Sequence, residues 1–239
     1  PLLISPLAMT RILIEDNRLG VNLKPDSHQR TATSLRRVLM SLVSQPAPNF
    51  SAQALVDDEF KTINLSDYTD QWLVLFFYPL DFTYVCPTEI NGFSDRINQF
   101  SALNAAVIGC STDSIHSHRA WTKQSRRSGG LGELKIPLLA DFTKTIAEDY
   151  GVLLEGGMAL RGVFIIDPQG IIQWESINAL GVGRNIDEVL RMLAALQFVA
   201  EHNEVCPANW KPGRDTMIPD PDGSKSWFHK HGNRRLRST

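Results

Sequence analysis

Cysteine is scarce in this chain: 239 residues hold three, Cys86, Cys110 and Cys206. So few exclude the disulfide framework of a small secreted domain, which needs a dense, even set. No apolar stretch approaches the ~20 residues that cross a bilayer as a helix. Charge of either sign is not in excess either, because 24 Lys and Arg stand against 26 Asp and Glu for a formal net charge of −2, and a nucleic-acid footprint would need a basic surplus. Internal repeats and low-complexity tracts are missing. A Cys-x-x-Cys dithiol is missing too, since the residue three places after Cys86 is Glu89. What is present is an ordinary globular composition, 43% hydrophobic, sized for one core and a tail.

The surroundings of Cys86 carry the chemistry. In Phe77-Tyr78-Pro79-Leu80-Asp81-Phe82-Thr83-Tyr84-Val85-Cys86-Pro87-Thr88-Glu89 an apolar run breaks at a proline, and the cysteine opens what reads as a helix with Pro87 preorganising its first turn. The positive end of a helix, with its unpaired N–H groups, favours thiolate over thiol. Thr83 lies three residues before the sulfur and can turn a hydroxyl toward it, and Pro79 shields one side without adding a donor. Arg161, at the mouth of the apolar run Gly162–Ile166, is costly to leave unpaired and should face an anion or a carboxylate, the thiolate being the obvious candidate. A small buried hydrophobe is the competing reading of a lone free cysteine. It fits Cys110, which closes the buried run Ala105–Ser111 without proline, arginine or other basic neighbour.

Pro79, Thr83 and Cys86 reproduce the Pro-x-x-x-Thr-x-x-Cys signature, and the chain here resembles the peroxiredoxins. Cys206, in Glu204-Val205-Cys206-Pro207-Ala208-Asn209-Trp210, resembles the resolving-cysteine motif of the typical two-cysteine subgroup, the alkyl hydroperoxide reductase C and thioredoxin peroxidase group. The similarity runs from about Val43 to about Lys230. It implies a peroxidase for hydrogen peroxide and organic hydroperoxides, with antioxidant and redox-homeostatic roles and no cofactor. Cys86 would become a sulfenic acid, with Arg161, the Thr83 hydroxyl and the Cys86 backbone N–H as donors and Glu89 orienting the arginine. Glu89 would also favour the helix start as a negative charge. The resemblance further implies a Cys86–Cys206 disulfide between the subunits of a homodimer, a decameric ring being a further possibility of the family, and recycling by thioredoxin or a flavoprotein disulfide reductase. No nucleic acid, membrane or metal partner is expected.

Other motifs are weighed against blander roles. Gly129-Gly130-Leu131-Gly132 matches an insertion of overoxidation-sensitive members, which pair it with a C-terminal Tyr-Phe; this chain has Trp227-Phe228, and a plain flexible loop is the alternative. The pairs His116/His118 and His229/His231 are conceivable metal ligands, but residues two apart on a helix do not share a face and no further ligand spacing completes a site. Trp121 resembles a residue lining the active-site neighbourhood, although packing alone would explain it. A general thiol–disulfide oxidoreductase would want a nearby cysteine pair, and a holdase or ring-forming structural protein would keep its activity without Cys86.

The expected architecture is α/β and thioredoxin-like: a central mixed sheet flanked by helices, with an extended C-terminal tail. Trp72–Tyr78 and Ala105–Ser111 read as buried strands, while 162–166 and 171–174 flank the hairpin signal Asp167-Pro168-Gln169-Gly170. Ile90, Phe93, Ile97 and Phe100 give the segment after Cys86 one apolar helix face. Asn185 and Glu188 resemble a capping box ahead of Ile186, Val189, Leu190 and Leu193. Three regions result: 1–39 a poorly structured extension, 40–200 the peroxidase domain, and 201–239 a tail carrying the resolving cysteine. The extension is read as nonfunctional and the protein as cytoplasmic. An organellar transit peptide is the other reading of 1–39, favoured by Arg, Ser and Thr around 31–37 and opposed by Glu15, Asp16 and Asp26.

Overall fold

A computed structural model describes residues 41–232, so the expected extension at 1–39 lies outside the described residues. The strands are β1 (Ser51–Val56), β2 (Glu59–Asn64), β3 (Trp72–Phe77), β4 (Ala105–Ser111), β5 (Leu138–Ala140), β6 (Arg161–Ile166) and β7 (Ile172–Asn178). The helices are α1 (Cys86–Asp95), α2 (Ile97–Ala102), α3 (Ile115–Thr122), α4 (Thr145–Asp149), α5 (Ile186–His202) and α6 (Gly223–His231).

Alternation along β3 places the sheet between two cores. Trp72, Val74, Phe76 and Tyr78 point to one face, among Cys86, Phe93, Val189 and Leu193, while Leu73, Leu75 and Phe77 point to the other, among Ile146, Tyr150 and Phe164. Burial on both faces is why β3 and β4 read as unbroken apolar runs. The seven strands form one sheet in the order β2-β1-β5-β4-β3-β6-β7. β3, β4 and β5 are parallel, and β6, β7, β1 and β2 are added antiparallel. The chain has the mixed sheet and flanking helices of a thioredoxin-like fold.

Several expectations shift in detail. The apolar face after Cys86 belongs to two helices, because the chain leaves helical geometry at Arg96 (φ −98°, ψ 8°); Ile90, Phe93 and Phe100 are nevertheless buried in one cluster, with Ile97 packed against it. At Asp167–Gly170 the glycine adopts φ 79°, and Asp167 accepts the N–H groups of Gln169 and Ile171 at 2.9 Å each. Strand β7 runs on to Asn178, four residues past the expected end, as a half-buried edge rather than an apolar run. Asn185 caps α5 by accepting from the N–H groups of Asp187 and Glu188, but Glu188 turns to Arg191 instead of back to the cap, so the box is half made. The β1–β2 hairpin and β5 had no counterpart in the sequence reading. The hairpin turns at Asp57 and Asp58, both left-handed (φ 50° and 66°), the conformation a two-residue hairpin loop demands.

Candidate active site

Strand β3 ends at Phe77, and residues 78–85 loop over its end before α1 begins. Cys86 is itself the first helical residue and Pro87 the second, so the proline stands one position later than the sequence implied, where its missing N–H is still no loss. Cys86 is fully buried. Strand β6 runs antiparallel beside β3, with Val163 opposite Phe76, and this register carries its first residue, Arg161, to the same end of the sheet. Arg161 Nη1 lies 3.4 Å from Cys86 Sγ and donates to Glu89 Oε2 at 2.7 Å, while its Nε is fixed by the Leu180 carbonyl at 2.8 Å. Glu89 follows Cys86 by one helical turn and is buried with it.

A second arginine, absent from the sequence reading, completes the arrangement. Arg184 gives Glu89 Oε1 its backbone N–H and its Nε, both at 2.8 Å, and gives Oε2 its Nη2 at 2.9 Å. Its Nη1 donates to the Phe77 and Gly162 carbonyls at 2.8 and 2.6 Å, tying the ends of β3 and β6 together, and its guanidinium lies over the Phe76 ring at 5.2 Å. Burial pulls this guanidinium down from its ordinary value, while the Glu89 carboxylate opposes that pull. Two buried cations thus meet one buried carboxylate, leaving one positive charge that an anionic sulfur at Cys86 would balance. The signal that could have located Arg184 is its place just before the Asn185 cap, where a charge between Gly183 and an apolar helix face has little solvent to turn to.

The other expected residues are placed as follows. Pro79 is buried beside the site, and Thr83 directs its hydroxyl to the Leu80 carbonyl at 2.8 Å, within its own loop, rather than to the sulfur. Cys110 faces the opposite core, where burial pushes its thiol well above the ordinary value and Asp141 adds to the effect. Cys206 is half-buried against α5, its Sγ 3.8 Å from the Ala195 carbonyl; burial pushes its thiol up and Arg191 pulls it down by less. Cys86 and Cys206 are both free.

His118 is fully buried within a protein network: Nδ1 is 2.8 Å from Asp81 Oδ2 and 3.3 Å from the Tyr78 hydroxyl, and Nε2 is 3.3 Å from the Leu139 carbonyl. His116 instead meets the Phe60 ring edge to face at 5.2 Å. His231 pairs with Asp215 at 2.7 Å, and His229 is exposed. The Gly129–Gly132 loop is a bonded structure. Trp121 Nε1 donates to the Gly129 carbonyl at 3.0 Å, Leu131 is fully buried, and Gly130 lies so close to the Gln124 carbonyl that a side chain has no room. Trp121 also packs against Phe82 at 5.7 Å, in the loop that precedes Cys86. On α6, Trp227 is half-buried against His231 and Phe228 is exposed.

Comparison with known proteins gives this geometry its relatives. Residues 43–175 match the AhpC/TSA family, and residues 195–227, which include Cys206, match the C-terminal domain of 1-Cys peroxiredoxin. A 2-Cys peroxiredoxin BAS1, chloroplastic, of Hordeum vulgare is 54% identical over 79% of this chain and 91% of its own length. A thioredoxin-dependent peroxide reductase, mitochondrial, of Drosophila melanogaster is 50% identical over 95% of each chain. The crystal structure of Plasmodium vivax 2-Cys peroxiredoxin, reduced, superposes with a TM-score of 0.78 at 39% identity, covering 80% of this chain and 100% of that one. These relatives overturn the expectation of a cytoplasmic protein and point to an organelle. The alignment to the mitochondrial one takes in 95% of the chain and so runs through most of residues 1–39. The cytoplasmic reading gave three acidic residues too much weight against a cationic segment.

Proposed function

The chain belongs to the AhpC/TSA family and is a peroxiredoxin, an oxidoreductase that reduces peroxides, and on that premise we propose how its residues share the work. The observation that carries the reading is the buried cluster of Cys86, Glu89, Arg161 and Arg184, in which a guanidinium faces both a sulfur and a carboxylate. Cys86 thiolate attacks one peroxide oxygen: an S–O bond forms, the O–O bond breaks, sulfur is oxidised by two electrons, and the departing oxygen takes a proton to leave as water or an alcohol. Negative charge moves from sulfur to oxygen in this step, so donors fixed at the site lower the barrier. Arg161 is the donor on the sulfur side, held in place by Glu89 and the Leu180 carbonyl. Pro79 excludes water, and Thr83, with the Cys86 backbone N–H, meets the peroxide once it enters. Arg184 is a positioning residue, acting through Glu89.

The sulfenic acid then condenses with Cys206, the reversible rung of cysteine oxidation. Cys206 thiolate attacks the Cys86 sulfur, the S–O bond breaks, and hydroxide leaves and becomes water. The Cys206 that reacts belongs to a second copy of the chain. A homodimer is supported by β7, an edge strand whose flank exposes Ile177, Leu180 and Val182. A ring of dimers is a further level of assembly. Thioredoxin is the reductant this reading favours, from the name of the mitochondrial relative, with a flavoprotein reductase as the other donor.

Peroxide consumption coupled to thioredoxin and its reductase tests the assignment. Cys86→Ser is expected to abolish turnover, and peroxide should convert the wild type into a covalent dimer on nonreducing gels. Persistence of that dimer in Cys206→Ser would refute the pairing.

A further inference from the structure

Helix α5 carries more than a hydrophobic face. Glu188, Arg191 and Ala195 follow one another at spacings of three and four, so they line one side of the helix. The resolving-cysteine segment lies along that side. Arg191 is clamped by Glu188 through a two-pronged contact, Nε to Oε2 and Nη2 to Oε1, both at 2.7 Å, and its remaining arm donates from Nη1 to the Trp210 carbonyl at 2.8 Å. Trp210 is buried, packs on Phe198 at 5.4 Å, and closes the turn that starts after Cys206 by donating its N–H to the Pro207 carbonyl at 3.0 Å. One helical turn beyond Arg191, the Ala195 carbonyl meets Cys206 Sγ at 3.8 Å. The cation is therefore fixed by Glu188 and the Trp210 carbonyl on the side of α5 along which the Cys206 turn lies.

We propose that Arg191 is a positioning residue for disulfide formation: it holds the Cys206 turn on α5 and its charge favours the Cys206 thiolate that attacks the oxidised sulfur. The inference rests on the reading of Cys206 as the resolving cysteine. Burial disfavours the Cys206 anion and Arg191 is the cation that opposes it. Glu188 fixes Arg191, Asp187 on the same turn is paired with Arg96, and Glu204 beside the cysteine accepts from the Thr216 hydroxyl. Without the guanidinium the thiol rises further. A tenfold loss of thiolate, partly offset by an anion about threefold more nucleophilic, would slow attack by roughly threefold at neutral pH.

The test follows disulfide formation in rapidly quenched samples of the full chain, on nonreducing gels, after one equivalent of peroxide and from about pH 6 to pH 10. In Arg191→Gln the oxidation of Cys86 should proceed at the wild-type rate. Covalent dimer should form roughly threefold more slowly near pH 7, and the deficit should shrink as pH rises toward 10 and the variant's thiol ionises in turn. Arg191→Lys, which keeps the charge without the fork, should restore the neutral-pH rate. An unchanged profile in Arg191→Gln would overturn the proposal, as would an equal loss at every pH that lysine does not rescue, the result of a merely structural staple. Failure of the underlying reading looks different: Cys206→Ser would then still form the dimer.

Discussion

At the residue scale the proposed chemistry rests on four side chains that are not interchangeable. Of the two arginines Arg161 reaches the sulfur, whereas Arg184 satisfies Glu89 and ties the Phe77 and Gly162 carbonyls. The two arginines should therefore fail differently when altered. Arg161→Lys keeps a cation but loses the planar fork that spans sulfur and carboxylate, so the rate of Cys86 oxidation is expected to fall by ~10² to 10³, the scale of a lost transition-state donor, with little change in stability. Arg184→Met leaves Glu89 underpaired and two backbone carbonyls without their donor, so the fold should lose ~3 to 5 kcal/mol as well as activity. Urea unfolding and single-turnover oxidation separate the two, and an unchanged unfolding midpoint in Arg184→Met would refute the division of roles. Cys110 completes the contrast: it shares the sheet with this cluster but, with its thiol pushed up by burial, has no anion to offer at neutral pH.

Elements turn these residues into a device that must partly open. Cys86 begins α1 and is fully buried there, so under the proposed pairing with Cys206 of a second copy the first turn of α1 has to unwind before the disulfide forms. The Gly129–Gly132 loop opposes that opening. Trp121 joins the loop to α3, and Arg126 bonds the Leu131 carbonyl at 3.0 Å and both oxygens of Asp95, in the last turn of α1, at 2.9 and 3.0 Å. Gly130→Ala would press a methyl into the Gln124 backbone and displace the loop. The expected outcome is easier opening of α1 and less Cys86 sulfinic acid under excess peroxide, read by mass spectrometry; more sulfinic acid than wild type would sink the idea. This loop also shows what the chain discloses before it folds. The glycines were legible as a motif, yet their rigidity depends on hydrogen bonds to Trp121 and Gln124 that no local pattern encodes. The strands β3 and β4 were legible because they are apolar on both faces. The hairpin β1–β2 was not, because Glu59-Phe60-Lys61-Thr62 is almost wholly exposed and lacks alternation. Cys86 and Arg161 could be named from local chemistry and Glu89 from the resemblance, whereas Arg184 offered only its place before the Asn185 cap, because its partners lie 95 and 107 residues away.

For the whole molecule, charge is distributed in a way its total conceals. Residues 1–39 hold Arg11, Arg18, Lys24, Arg30, Arg36 and Arg37 against Glu15, Asp16 and Asp26, a balance of six minus three, or +3, which leaves −5 of the net −2 for residues 40–239. A cationic leading segment on an acidic body is the polarity that a membrane potential negative inside would draw across, at about 2.3 kcal/mol per charge for each 100 mV. Serine and threonine around 31–37 suit the same purpose. The relative that aligns through most of this segment is named as mitochondrial, which makes mitochondrial import the outcome to test first. Residues 1–39 fused ahead of a fluorescent reporter are therefore expected to carry it into mitochondria. Arg36→Gln with Arg37→Gln should reduce uptake by removing two of the six cations, and collapse of the membrane potential should abolish it. A reporter that stays spread through the cytosol with the potential intact would show that these residues do not direct import, and that the peroxidase reaches its compartment by another signal.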